Sequence, residues 1–177
     1  MESLSRTEKH SPDRSTILLA ALATGYALLH LAVIGRYGYF RDELYYLACG
    51  RHLAWGYVDH PPLIGLVARL IERFLGDSLP AVRLPAILAG ALAIAGTGIL
   101  ARELGGGRFA QALAAVGLAI APVYLFLFHI LSMNAFEPLF WTAAALVLLR
   151  LLQGGDPRLW LLFGAIAGLG LLNKHSM

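Results

Sequence analysis

Residues 16–35 read TILLAALATGYALLHLAVIG, a run without one acid, lysine or arginine. Twenty helical residues are what a hydrocarbon core of about 30 Å requires. Within lipid such a segment has to be helical, because its backbone polar groups have no water to bond. The competing reading of an N-terminal apolar run is a signal peptide. This run is longer than an ordinary signal core and has no clear cleavage site with a soluble domain behind it, so a retained membrane helix is expected. Before it stand residues 1–15, MESLSRTEKHSPDRS, a short polar tail.

The rest of the chain repeats the apolar pattern. Of 177 residues 58% are hydrophobic and 14% charged, where a soluble domain carries about 25% charged. Further spans are expected near 80–101, 109–128, 135–149 and 157–172. Gly105-Gly106-Gly107 makes the turn before the third, and Asp156-Pro157 supplies a cap and first-turn proline for the fifth. Gly164 and Gly168 form a small-residue pair that suits close helix packing. Alternating short segments of a membrane β-barrel are absent. The expected fold is all-α, a polytopic bundle of about five transmembrane helices occupying 16–177. No closing loop follows Asn173-Lys174-His175-Ser176-Met177, which reads as truncation of a longer protein.

Residues 36–79 form the longest stretch that does not span, and they are the first loop. From Leu63, the residues Leu66, Val67, Leu70, Ile71 and Phe74 share one helical face, while Arg69, Glu72 and Arg73 share the other. A helix patterned this way lies along the membrane surface. Two surface-lying juxtamembrane helices are expected, over 42–54 and 62–75, with Pro61 and Pro62 at the start of the second.

The net charge of +3 carries no basic run of the nucleic-acid-binding kind. The single cysteine, Cys49, excludes an intramolecular disulfide and reads as a small semi-buried filler. Lysine and arginine do not orient the bundle, because alternation of spans divides the fourteen evenly, seven to each side. Alternation does collect Asp42, Glu43, Asp59, His60, His129, Asn134, Glu137, Lys174 and His175 at one membrane face, leaving short turns at the other. Such asymmetry marks a functional face.

Taken singly, these residues have structural explanations. Asp42 and Glu43 suit the first turn of a helix. Asp59 or His60 could cap the amphipathic helix. Asn134 and Glu137 have the spacing of a capping box, with Pro138 at the same helix start. Lys174 suits a snorkelling lysine, and His129 a satisfied bundle histidine. Taken together, two carboxylates from distant parts of the chain, a lysine and several arginines fit a reaction between a membrane-bound phosphate ester and a hydroxyl. A carboxylate takes the proton, and cations steady the phosphate.

The stretch RDELYYLACGRHLAWGYVDHPPLIGL, beginning at Arg41, resembles the first extracytoplasmic loop of the family 39 glycosyltransferases, which include protein mannosyltransferases and lipid A aminoarabinose transferases. The resemblance continues in RLPAILAG from Arg83, SMNAFEPLFW from Ser132 and GLGLLNKHSM from Gly168. It implies a C-type membrane glycosyltransferase fold in the cell membrane, the inner membrane if bacterial. It also implies a polyprenyl-phosphate sugar donor and an acceptor hydroxyl on lipid, glycan or protein. Asp42 matches the catalytic base and Glu137 the second acid, where many members carry Asp. Arg41, Glu43, His60 and Lys174 fall at substrate-binding positions, with His60 replacing a lysine. Asp59 matches an acid that in some relatives helps hold a divalent metal cation. A transporter or lipid flippase, or a non-catalytic assembly subunit, is the alternative from another class. A transporter would place its charges near the bilayer midplane on broken helices, whereas here they fall at span ends.

Overall fold

The computed structural model describes residues 14–177. Residues 1–13 of the expected polar tail lie outside them. The described residues form eight helices and no strand: α1 Arg14–Val33, α2 Arg41–Arg51, α3 Leu63–Phe74, α4 Leu79–Glu103, α5 Arg108–Ile120, α6 Pro122–Leu127, α7 Met133–Leu152 and α8 Leu159–Asn173. Three of them, α1, α4 and α7, are long and apolar enough to cross a membrane; α5 and α8 are shorter apolar helices.

Helix α4 is the centre of the bundle and packs on α1, α5 and α7, while α8 leans on α7. Small residues on α4 let the neighbours close in. A Cβ at Gly98 would meet the Leu19 side chain of α1, and one at Gly90 would stand 2.5 Å from Cγ of Phe128. Phe128 is fully buried in the main core with Leu19, Tyr26, Ala86, Ala93, Ile94, Ala115 and Ala135. Helices α4 and α7 end in the same way. Gly105 and Gly154 take φ of +87° and +85°, and Gly106 N–H and Gly155 N–H reach back to Ala101 O and Arg150 O. This left-handed glycine closure satisfies the carbonyls that a helix end leaves open.

The expected third span is broken. Pro122 has no N–H and disfavours helical geometry in the residue before it. Ala121 is accordingly extended, with φ −64° and ψ 123°, and α5 and α6 replace one helix. Asn134 is not a cap: α7 begins at Met133 with Ser132 in the N-cap position, and Pro138 lies inside the helix. At α8 the Asp156 carboxylate accepts the Arg158 N–H at 2.8 Å, so the turn there forms as read and the regular helix starts at Leu159. Gly164 and Gly168 do not mediate packing in this chain, since a Cβ at either meets nothing within 4 Å.

The first loop folds into the two expected helices, α2 and α3, packed on each other. A second core of Tyr46, Leu47, Ile64, Ala68, Ile71, Val82 and Leu131 seats them on the bundle. Of the apolar face read in the sequence, Ile71 is buried and Val67 packs against that core, while the rest of the face points away from the bundle. Ile64, Gly65, Ala68 and Ile71 are buried, whereas Leu66, Leu70 and Phe74 are exposed. The apolar arc of α3 is wide enough for two faces, one on the bundle and one left outward. The inner one is chosen where Gly50 lets α2 approach: a Cβ there would lie 2.8 Å from the Arg69 nitrogen.

Candidate functional site

Long-range bonds sort the connections into two ends. At one, Arg102 reaches Thr16, and Arg150 and Gln153 reach Glu103. At the other meet the α1–α2 linker, α2, the start of α4, residues 128–137 and the end of α8. The ionisable residues singled out in the sequence belong to this second end.

Its centre is Arg83, a residue that the sequence showed only as part of an apolar motif. The guanidinium is buried and grips Glu43 through two bonds, Nε to Oε1 at 2.9 Å and Nη2 to Oε2 at 3.0 Å. Its other N–H groups donate to the carbonyls of Ile34, Tyr37 and Gly38 at 2.9, 3.3 and 2.8 Å. Glu43 in turn accepts the backbone N–H of Phe40 at 2.8 Å and of Leu131 at 3.2 Å. One ion pair thereby ties the α1–α2 linker, α2, α4 and the turn before α7. Glu43 is 0% exposed and its oxygens are occupied by protein. It stands inside the structure, away from the surface where a substrate contact was expected.

His129 joins the same group. Its Nε2 lies 3.5 Å from Arg83 Nη1 and its Nδ1 lies 3.1 Å from Nδ1 of His30. Arginine can only donate, so Nε2 of His129 accepts and Nδ1–H of His129 donates to His30. Burial, and next the Arg83 charge, lower the His129 pKa, which keeps that tautomer neutral. His30, inside the first apolar run, gave no sequence signal.

Glu137 and Lys174 also meet, Oε2 to Nζ at 2.7 Å, and Ser176 donates to the other carboxylate oxygen. Both line a cavity of about 530 Å³ with Asn134, Tyr124, Trp141 and Thr97. Asp42 does not line it. It sits in the first turn of α2, about one-third exposed, 3.2 Å from Nε of its exposed neighbour Arg41. The two expected catalytic acids therefore share an end of the bundle but not a cavity.

Asp59 and His60 part company. Asp59 is largely exposed and accepts the Tyr45 hydroxyl at 2.6 Å, a bond that raises the Tyr45 pKa above its ordinary range. His60 is buried, stacked on Tyr57 with ring centroids 4.6 Å apart. Its Nδ1–H donates to Pro61 O at 2.8 Å, leaving Nε2 for the Cys49 thiol at 3.8 Å. Burial pushes that thiol upward, so Cys49 is a buried packing residue. His60 contributes to the α2–α3 packing. Among the described residues, no group of three or more His, Cys, Asp or Glu could hold a metal ion. His60 Nε2 lies 3.9 Å from the Asp59 carboxylate.

A helical bundle with long apolar helices, acids and cations gathered at one end and a cavity sunk into it there has the build of an integral membrane protein with a candidate site at that end. Residues 59–177, more than half of the chain, match the family model described as dolichyl-phosphate-mannose-protein mannosyltransferase, and the chain belongs to that family. It is a membrane glycosyltransferase chain on that ground. The match covers Asp59, His60, Arg83, Glu137 and Lys174; Arg41, Asp42 and Glu43 precede it. No curated protein and no solved structure matches the chain.

Proposed function

We propose that this chain transfers a sugar from a polyprenyl-phosphate donor to an acceptor hydroxyl at the extracytoplasmic face of the membrane. The observation that carries the reading is the Glu137–Lys174 pair in a polar cavity at the loop-bearing end of a bundle of this family. Asp42, outside the Glu137 cavity at the same end of the bundle, takes the proton from the acceptor hydroxyl as its oxygen enters from the loop side and attacks the anomeric carbon. The new C–O bond forms opposite the bond to phosphate, which breaks and leaves its electron pair on the lipid phosphate. The anomeric carbon is inverted. Arg41 and Lys174 steady the departing phosphate, and the Glu137 carboxylate faces the positive charge that develops on the sugar ring. Glu43 acts from inside, by holding α2 and its Asp42 in place through Arg83. A divalent cation held at Asp59 would add charge for the phosphate; no step is assigned to it.

The broken third span is the one observation that favours a transporter. Against that reading, Asp42 lies in the loop, although Leu118, Val123 and Tyr124 on either side of the Ala121–Pro122 break do line the Glu137–Lys174 cavity. Vesicles reconstituted with the full chain decide between them. With mannosyl polyprenyl phosphate and a panel of hydroxyl acceptors, the enzyme reading expects free polyprenyl phosphate and a glycosylated acceptor in equal amounts. Movement of intact donor between leaflets without cleavage would establish the rival.

A further inference from the structure

The cavity that holds Glu137 contains two groups for which the reaction above has no use. Trp141 lies four residues after Glu137, hence over the same face of α7, and lines the cavity half-exposed. Its indole N–H faces the Glu137 carboxylate. Interface tryptophans sit at the ends of membrane helices. Trp141 is about 12 Å along α7 from Met133, at 1.5 Å per residue, near the middle of a 20-residue span. Among the described residues its ring stacks on no other aromatic ring, although Tyr26, Tyr124 and Phe128 nearby in the bundle all do. Asn134 lines the same cavity, one turn before Glu137, and its amide has no hydrogen-bond partner among the described residues.

An open aromatic face, a free amide and a carboxylate held by a lysine are complementary to a hydroxylated ring. The ring's C–H face packs on the indole, and its hydroxyls donate to the carboxylate and exchange bonds with the amide. A cavity of about 530 Å³ has room for one such ring. We propose that Trp141 and Asn134 are specificity-determining residues that bind the sugar ring of the lipid-linked donor, with Glu137 between them. This rests on the glycosyltransferase reading and adds to it the place of the sugar.

The test uses the full chain with Trp55→Phe and Trp160→Phe, so that Trp141 is the one tryptophan, excited selectively at the red edge where tyrosine does not absorb. Both replaced rings are exposed. Two probes are compared in the same detergent, mannosyl polyprenyl phosphate and bare polyprenyl phosphate of equal chain length. Trp141 emission should change with the mannosyl lipid and not with the bare one. In the transfer assay, Trp141→Leu should raise the donor KM about tenfold with kcat within about twofold, the signature of lost ground-state and transition-state binding alike. Trp141→Phe should recover most of that loss, and Asn134→Ala should raise KM about fivefold. Equal responses to both lipids would mean that the cavity takes the phosphate or the chain, and would overturn the sugar assignment. Normal transfer with silent Trp141 and unchanged KM in Trp141→Leu would overturn it while leaving the reaction standing. A sugar-dependent response without any transfer would support the site and reject the reaction. Neither response nor transfer would reject both.

Discussion

Asp42 and Glu43 are adjacent in sequence and chemically alike, yet one residue separates a partly exposed carboxylate from a fully buried one. In the first turn of α2 successive side chains diverge by about 100°, so Glu43 turns in to Arg83 while Asp42 stays on the outer rim. Asp42 is consequently the carboxylate of the pair that an acceptor can reach. Its two possible jobs respond differently to amide substitution. An acid that only favours the helix start through the dipole contributes about 0.3–1 kcal/mol, so Asp42→Asn would leave transfer nearly intact. If Asp42 is the base, the amide cannot accept the proton, and the loss should be on the order of 100- to 10,000-fold. We expect the large loss, with unchanged thermal unfolding in detergent. Near-normal transfer by the variant would return Asp42 to the helix-start role.

At the scale of elements, two joints hold the site in place. The first is the Arg83–Glu43 pair between α4 and α2. Removing one partner of a buried ion pair strands the other, at a cost of about 3–5 kcal/mol. Glu43→Gln should therefore lower the unfolding temperature sharply, and Asp42→Asn should not. Equal stability of the two variants would show that the pair does not anchor the loop. The second joint is the closure of Phe128 onto Gly90. Overfilling a packed core costs about 1–3 kcal/mol, and the nearest atoms to a new Cβ are Cγ, Cβ and Cδ2 of Phe128. Gly90→Ala should destabilise by that amount in the parent and by much less in a Phe128→Gly background, which removes every one of those atoms, as measured by denaturation of both pairs in one detergent. Additive effects would contradict the contact.

For the whole molecule, alternation of the helices puts the α2–α3 loop and the glycine turn after α4 on opposite sides of the bilayer. The experiment replaces Cys49 by serine and introduces Val58→Cys and Gly107→Cys one at a time. Val58 is fully exposed, and a Cβ at Gly107 meets nothing within 4 Å, so neither change disturbs packing. An impermeant thiol reagent applied to intact cells should modify position 58 alone, with position 107 reacting after permeabilisation. Modification of both from the outside would break the alternation on which the shared face of Asp42, Glu137 and Lys174 depends.

Long apolar runs, glycine turns and the amphipathic period of residues 63–74 are local features of the chain, and membrane helices satisfy their own backbone. The all-α bundle, the three long apolar helices and the two helices of the first loop could therefore be read from the sequence by itself, whereas the break at Ala121–Pro122 was not read. Alternation of those spans, again a local count, gathered the candidate acids and cations at one end. The partnerships inside that end were beyond such a reading. Arg83 and Glu43 are 40 residues apart, and Glu137 and Lys174 are 37 apart. Nothing in the neighbourhood of either glutamate says which cation will neutralise it. Nor does periodicity choose between the two apolar faces of α3, which differ only in what α2 and the bundle present to them. Burial decides these matters, because a charge removed from water must find its partner within the fold. Tertiary packing alone turned Glu43 into an anchor, left Asp42 at the rim, and opened beside Glu137 a cavity lined by the Trp141 indole.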